Sequence, residues 1–157
     1  MKVPKKLKPP RLRLLGRVAG LPIYLVDGET IRDDIDVDFV NGGNEAVYPS
    51  YIPPGEIWID DAQHAIDRTA TALHELIERD LMLHHGMSYD SAHDAANGHE
   101  RAFRKDLERR RPTGFDVRRL AEAYRVYFRE KPLSKRSRLL DREIIGALSR
   151  RNRAGMK

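Results

Sequence analysis

The stretch from residue 69 to 100 constrains the chain most, because it holds five of the six histidines and one short motif, His74-Glu75-Leu76-Ile77-Glu78. Side chains four positions apart lie on the same face of an α-helix. His74 and Glu78 are therefore predicted to point to one side, with Glu75 beside them. Imidazole and carboxylate groups are ligands of divalent cations, so this motif predicts a metal site.

The residues around the motif predict a long helix over residues 62–85. Its apolar side chains recur every three or four positions, as on a helix with one buried face. They are Ala62, Ile66, Ala70, Leu73, Ile77 and Leu81. The histidine and the second glutamate of the motif each follow a member of this stripe, which places them at the edge of the buried face. Asp60 or Asp61 is expected to cap the start of the helix, and Gly86 is expected to end it.

The third ligand is expected from a second helix, predicted over residues 89–110. If the two helices pack antiparallel about the intervening turn, Glu78 and His93 lie at similar distances from that turn. A catalytic zinc site takes three protein ligands and keeps a fourth position open. We therefore assign His93 as the third ligand. Glu100 is the alternative, either as a ligand or as an acceptor that orients an imidazole.

Other polar residues near the motif are weaker candidates. Asp94 is a less favoured third ligand. His99 lies about 100° around the helix from Glu100, which points it elsewhere. His84 and His85 lie close to the turn and are expected to be exposed.

Glu75 is the predicted catalytic residue. It is not needed as a ligand, and its place beside His74 suits a general base that takes a proton from water activated by the metal. Trp58 belongs to a short strand predicted over residues 56–60 and is expected to line a substrate cleft. If that strand lies at a sheet edge, an extended peptide could pair with it through main-chain hydrogen bonds.

The rest of the pattern predicts an α+β fold, with a small N-terminal antiparallel sheet followed by a helix pair and C-terminal helices. Period-two alternation and turn signals predict extended segments. These are residues 21–26, 29–33 after an Asp27-Gly28 turn, 35–39, 46–52 and 56–60. Residues 41–44 are expected to form a loop. Further helices are predicted over residues 116–129 and 138–150.

The charge distribution divides the 157 residues into three parts. Residues 1–20 carry seven Lys or Arg and no acid, and residues 131–157 carry nine against two acids, whereas the middle has thirteen bases and 22 acids. We expect a flexible basic arm over residues 1–10, an α+β domain over 11–130 and a basic helix or tail over 131–157. The basic ends are either binding segments for nucleic acid or simply solvated tails.

Composition excludes several classes of protein. The chain has no cysteine, so it can form neither disulfides nor thiolate metal sites, and this fits a reducing compartment. No apolar run reaches the length that a membrane span needs, and the basic N-terminus lacks the apolar core of a secretion signal. We expect a protein without membrane segments, located in the cytoplasm or associated with a virion.

Three segments together carry a resemblance to a known family. They are E-I-W-I-D at 56–60, H-E-L-I-E at 74–78, and G-M-S-Y-D-S-A-H at 86–93 with a glutamate seven residues later. The stretch from about residue 21 to 105 resembles zincin-like proteins of prokaryotic and phage-associated sequences. The resemblance implies that His74, Glu78 and His93 bind Zn²⁺ or another divalent metal, and that Glu75 is the base. Glu78 stands where most zincins have a histidine.

Three functional hypotheses remain open from the sequence. The first is a zinc metallopeptidase, a metal-dependent hydrolase that acts on a peptide or protein substrate. The second is a non-catalytic protein stabilised by metal, whose basic ends bind nucleic acid or a protein partner. The third is a di-iron or manganese helix pair, although only Asp90-x-x-His93 approaches the paired pattern that such sites need. A salt-bridged helix face without any metal is the simplest alternative.

Overall fold

The computed structural model describes residues 10–130, and within this range it has an N-terminal sheet followed by long helices. The elements are β1 (Arg11–Val18), β2 (Leu21–Val26), α1 (Gly28–Asp34), β3 (Gly42–Asn44), β4 (Ile57–Asp60), α2 (Ala65–His85), α3 (Tyr89–Arg110) and α4 (Val117–Glu130). The predicted α+β class is confirmed. Residues 1–9 and 131–157, with the predicted arm and the predicted helix over 138–150, lie outside the described residues.

The four strands form one sheet in the order β1-β2-β4-β3. β1 pairs antiparallel with β2, and β3 pairs antiparallel with β4. β2 and β4 are parallel, with Ile23 opposite Ile57 and Val26 opposite Asp60, so the expectation of an antiparallel sheet is wrong for this pair. Parallel neighbours need a crossover connection, which α1 and β3 occupy. Because β4 is flanked on both sides, it is not a sheet edge that could accept a peptide.

The Asp27-Gly28 pair starts a helix and does not form the predicted hairpin turn. Asp27 is the N-cap of α1: its Oδ1 accepts a hydrogen bond from the N–H of Thr30 at 3.1 Å, and its Oδ2 accepts one from the Thr30 hydroxyl at 2.8 Å. Gly28 is required there, because a Cβ would lie 2.2 Å from Asp60 Oδ1. The strand predicted over residues 29–33 is therefore wrong, and these residues are helical.

The predictions of two further extended segments are also wrong. Residues 35–39 form turns, and alternation there does not reflect a buried face, since Ile35 is 47% and Val37 is 75% exposed. Residues 46–52 form turns as well. Conversely, the predicted loop over residues 41–44 contains β3. Its glycines allow close packing: a Cβ on Gly42 would lie 2.8 Å from the backbone oxygen of Trp58.

The helices follow their predicted positions closely. α3 has the predicted bounds, and Ser88 caps it by accepting a hydrogen bond from the N–H of Ser91 at 3.2 Å. Gly86 ends α2 in the left-handed conformation, with φ of 63°. The start of α2 differs from the prediction that Asp60 or Asp61 caps it. The N-cap is His64, and the carboxylate of Asp60 accepts a hydrogen bond from Arg32 at 2.6 Å. No helix within residues 10–130 combines the length and apolar composition that crossing a bilayer requires.

Two apolar clusters hold these elements together. The larger one packs the sheet against α2, α3 and α4, and its fully buried members include Ile23, Ile57, Ile59, Leu76, Ile77, Leu107 and Leu120. The smaller one contains Val26, Ile31, Phe39, Ile52 and Trp58. Ile57 and Ile59 belong to the first cluster and Trp58 to the second, as the alternation of side chains along a strand requires. The packing fixes α2 between the sheet and the other two long helices.

Candidate metal centre

Two imidazoles and one carboxylate converge between α2 and α3. Oε2 of Glu78 lies 3.1 Å from Nε2 of His74 and 2.8 Å from Nδ1 of His93. The two imidazole rings are 4.7 Å apart between centroids. Each residue offers one ligand atom, and these three atoms lie within 4.8 Å of one another. The structure thus brings together the three residues predicted as ligands.

Local sequence explains this convergence. His74 and Glu78 lie one helical turn apart, and the left-handed Gly86 ends α2 so that the chain turns back into α3. The helices then run antiparallel, and His93 reaches the level of Glu78, as predicted. Burial of His74 and Glu78 is nearly complete, whereas the side chain of His93 remains 39% exposed.

The donor set suits a divalent cation. Two imidazoles and a carboxylate are a ligand combination that zinc takes in catalytic sites, with one position left open. Nδ1 of His74 is buried, and it has no hydrogen-bond partner among residues 10–130. Nδ1 is the ring nitrogen that does not face Glu78, and in a metal site this second nitrogen of a ligand histidine usually donates to an acceptor that orients the ring. The fit of these residues to a bound metal ion therefore depends on the donor set itself, two imidazoles and one carboxylate.

Glu100 borders this group without joining it. Its Oε1 lies 4.0 Å from Nδ1 of His74, which is longer than a direct hydrogen bond. The same oxygen is 3.8 Å from a guanidinium nitrogen of Arg104, and Arg104 also pairs with Asp67. Because Glu100 approaches the unpartnered nitrogen, its predicted role as an orienting acceptor stays open beside the role of ligand.

A residue that the sequence analysis missed connects the two glutamates of the motif. Asn44, at the end of β3, is fully buried. Its Nδ2 donates hydrogen bonds to Oε2 of Glu75 at 2.7 Å and to Oε1 of Glu78 at 3.1 Å. The glycine-rich context of residues 41–44 suggested a loop, and only the pairing of β3 with β4 places Asn44 beside α2.

Burial and mutual charge shift the protonation of the motif. Burial and the charge of Glu78 raise the pKa of Glu75 to about 8. Burial alone would raise the pKa of Glu78, but hydrogen bonds with His74 and His93 outweigh it and lower that pKa below its ordinary value. For His74, burial lowers the pKa, yet the hydrogen bond to Glu78 and the carboxylates nearby leave the net pKa raised. Each of these ionisable groups thus alters the pKa of its neighbours through charge and hydrogen bonding.

Two tyrosines border the site, and neither was singled out from the sequence. The ring of Tyr89 stacks on that of His93, with centroids 5.2 Å apart and planes at 30°. Burial raises the pKa of Tyr48 to about 12, and the charges of Glu75 and Glu78 act in the same direction. The spacing of Tyr89 and His93, four positions apart on one helix, is the signal that could have revealed this contact.

Trp58 is buried in the smaller apolar cluster. It is 3% exposed, and its indole N–H donates a hydrogen bond to Oε1 of Glu56 at 3.0 Å. Its ring packs against Tyr51 in the smaller apolar cluster, with centroids 6.0 Å apart. Its role in a substrate cleft stays a prediction, and its burial does not favour that role.

The weaker candidates are dispersed. Asp94 and His99 are exposed, and the ring of His99 faces Tyr127 at 5.3 Å between centroids. The expected exposure of the two histidines at the turn is wrong. His84 is partly buried, and the side chain of His85 is 10% exposed and lies 3.5 Å from Oδ2 of Asp80.

Comparison of the chain with models of protein families, with curated proteins and with solved structures finds no match. The case for a function therefore depends on the geometry and chemistry of the site itself.

Proposed function

We propose that this chain is a metal-dependent hydrolase of zincin type, which cleaves peptide bonds with a divalent cation held by His74, Glu78 and His93. The observation that carries the proposal is the convergence of three ligand atoms within 4.8 Å, with Glu75 on the same helix beside them. The choice of peptide bonds, and of zinc as the metal, depends on the sequence resemblance and on the ligand types.

The ligand set supports a single metal ion with an open position. Three protein ligands leave room for a water molecule or a substrate oxygen. A di-metal site would need a second group of carboxylates and histidines. In the part of the chain that the structure describes, His74, Glu78 and His93 form the single group of this kind. This favours the hydrolase over the di-iron or manganese alternative.

A bound divalent cation would polarise a carbonyl group and acidify water. The positive charge of such a cation would favour the ionised form of Glu75, which is the proton acceptor that the chain itself supplies. Asn44 donates to Oε2 of Glu75, which leaves Oε1 to exchange the proton. Oε1 would take a proton from water as the water oxygen bonds to the carbonyl carbon, and would return it to the amine nitrogen as the C–N bond breaks. Asn44 holds the carboxylate in place during both steps.

The exposure of the ligands indicates how a substrate would approach. His74 and Glu78 have side chains that are 7% and 3% exposed, so their side of the site is closed. The side chain of His93 is 39% exposed, and the adjacent Tyr89 is 44% exposed. A peptide would therefore reach the cation from the first turn of α3, where the Tyr89 ring borders the approach.

The metal content of purified protein tests the proposal. We expect near one equivalent of metal in the wild type and its loss in His93→Ala. His99→Ala is the matched control, because His99 lies on the same helix and faces Tyr127 instead. A wild type without metal after reconstitution with Zn²⁺, or equal metal content in all three proteins, would refute a site at these residues.

A hydrolysis assay distinguishes the proposed enzyme from the alternative of a non-catalytic protein stabilised by metal. With fluorescently labelled casein as the probe, we expect turnover by the zinc-loaded wild type and none by Glu75→Gln, although both retain metal. Equal turnover in the two proteins would remove Glu75 as the base. Metal retention without turnover in either protein would favour the non-catalytic alternative.

A further inference from the structure

Asn44 makes five side-chain hydrogen bonds, one of them a long contact of 3.5 Å from Nδ2 to the backbone oxygen of Glu75, and the other four define its orientation. Its Oδ1 accepts from the backbone N–H groups of Ala46 at 2.9 Å and Val47 at 3.3 Å. Its Nδ2 donates to Oε2 of Glu75 at 2.7 Å and to Oε1 of Glu78 at 3.1 Å. If the amide were flipped, its oxygen would face two carboxylates and its NH₂ group would face two N–H donors. The chemistry of the neighbours therefore fixes the NH₂ group toward the glutamates.

This contact determines which oxygen of Glu78 the metal site receives. Oε1 of Glu78 is engaged by Asn44, whereas Oε2 lies between the imidazoles of His74 and His93. Removing the amide would free Oε1 to turn toward the same space as Oε2. The carboxylate could then offer two oxygens where it now offers one.

The number of oxygens offered matters for the choice of cation. Zinc prefers four ligands in total, with nitrogen, sulfur or single carboxylate oxygens. Calcium takes six to eight oxygens, often from bidentate carboxylates, and magnesium requires octahedral coordination rich in oxygen. A carboxylate restricted to one oxygen, beside two imidazoles, therefore favours four-coordinate cations.

The same amide also serves both buried glutamates of the motif. Glu75 and Glu78 are 6% and 2% exposed, and each side chain accepts a hydrogen bond from Nδ2 of Asn44. One NH₂ group has two N–H donors, so it can satisfy an oxygen of each buried carboxyl group without bringing in water. Asn44 thus positions a ligand and the proposed base with one side chain.

We infer that Asn44 is a positioning residue that restricts Glu78 to a single ligand oxygen and thereby selects a four-coordinate cation of the zinc type. The inference rests on the proposed metal site and extends it to the specificity of that site. Asn44 acts through Glu78 and Glu75 and does not itself contact the cation.

Co²⁺ is the probe for the test, because it occupies zinc sites and its visible absorption is strong when four-coordinate and weak at higher coordination. Asn44→Ala removes the amide. Asn44→Ser also removes the donor to the glutamates, but its hydroxyl can still accept from the N–H groups that follow in the turn. We expect both variants to bind Co²⁺ about 10- to 100-fold more weakly in competition with a chromophoric chelator, and to show a weaker absorption band.

Ile52→Ala is the matched control for damage to β3. Ile52 is fully buried in the smaller apolar cluster and packs against the strand, since a Cβ on Gly43 would lie 2.9 Å from Ile52 Cδ1. The substitution loosens the packing of the strand and leaves the polar contacts of Asn44 in place. We expect Co²⁺ affinity and absorption close to those of the wild type.

The outcomes separate this inference from the proposed function. If the wild type binds Co²⁺ and the Asn44 variants match it in affinity and spectrum, the inference fails and the metal site stands. An equal loss in Ile52→Ala also overturns it, because strand packing alone would explain the effect. If neither Asn44 variant folds, Asn44 belongs to the fold and not to the selectivity of the site. A wild type that fails to bind Co²⁺ overturns the metal site itself.

Discussion

Oε2 of Glu78 lies 2.8 Å from Nδ1 of His93, across fifteen positions of the sequence and between two different helices. This contact defines the candidate site, because it brings a ligand from α3 to the pair supplied by α2. Without a cation, the carboxylate is held by hydrogen bonds to imidazoles. The same three groups would coordinate a cation. Because they converge only in the folded chain, metal binding should stabilise the fold.

We expect Zn²⁺ to raise the thermal unfolding temperature and a chelator to reverse the effect. A ligand that binds only the folded state adds about 2.7 kcal/mol when its free concentration is about 100-fold above its dissociation constant. Differential scanning fluorimetry with stepwise Zn²⁺ measures the shift. His93→Ala should abolish it, whereas His99→Ala should retain it. A shift of equal size in His93→Ala would mean that zinc acts elsewhere on the chain.

The ligand group could be predicted because it depends mainly on local geometry. Positions four apart on α2 face one side, and Gly86 ends that helix in a conformation that glycine favours. The short turn then fixes the register of α3 against α2. With antiparallel packing assumed, these facts place His93 level with Glu78, while Glu100 stayed the alternative ligand.

The parts of the site that could not be predicted depend on distant segments. Asn44 and Glu75 are 31 positions apart, and β3 becomes a strand only because β4 pairs with it. The Asp27-Gly28 pair is compatible with both a hairpin turn and a helix cap, and the local sequence does not decide between them. Alternation over residues 35–39 predicted a strand that has no buried face in the structure.

Gly42 should tolerate no side chain. A Cβ there would lie 2.8 Å from the backbone oxygen of Trp58 and 2.9 Å from Cγ2 of Thr71. We therefore expect Gly42→Ala to lower the free energy of unfolding by about 1–3 kcal/mol, as overpacking does. Urea denaturation followed by circular dichroism measures the change.

Gly98 provides the matched substitution. It lies inside α3, and a Cβ there meets nothing within 4 Å. Because alanine is a better helix former than glycine, Gly98→Ala should raise the free energy of unfolding by about 0.5–1 kcal/mol. If both variants were destabilised alike, the close approach of β3 to β4 and α2 would not be the cause.

The cap of α1 should contribute stability that depends on pH. Hydrogen bonds from the N–H and hydroxyl of Thr30 hold the pKa of Asp27 below its ordinary value of 3.8. A carboxylate with a lowered folded-state pKa stabilises the protein above the unfolded pKa, and this contribution is lost as the pH falls through the folded pKa. Asp27→Asn keeps an acceptor for the N–H of Thr30 but cannot ionise.

Urea midpoints of the wild type and Asp27→Asn should therefore differ most at neutral pH and converge as the pH falls below 3.8. The reason is that a protonated Asp27 resembles asparagine in charge. A difference that stays constant over the whole pH range would contradict a role for the ionised carboxylate at this cap.

Tyr89 should restrain the most exposed of the three ligands. Its ring stacks on that of His93, whose side chain is 39% exposed and whose Nδ1 lies 2.8 Å from Oε2 of Glu78. A contact between two rings is worth about 0.5–1.5 kcal/mol beyond the area it buries. Tyr89→Ala should therefore weaken Co²⁺ binding by about two- to twelvefold, since each 1.4 kcal/mol is about tenfold in affinity.

Tyr89→Phe keeps the ring and should bind Co²⁺ as tightly as the wild type in the same chelator competition. Weaker binding in Tyr89→Phe would instead assign the effect to the phenol hydroxyl, and unchanged binding in Tyr89→Ala would show that Glu78 alone holds His93.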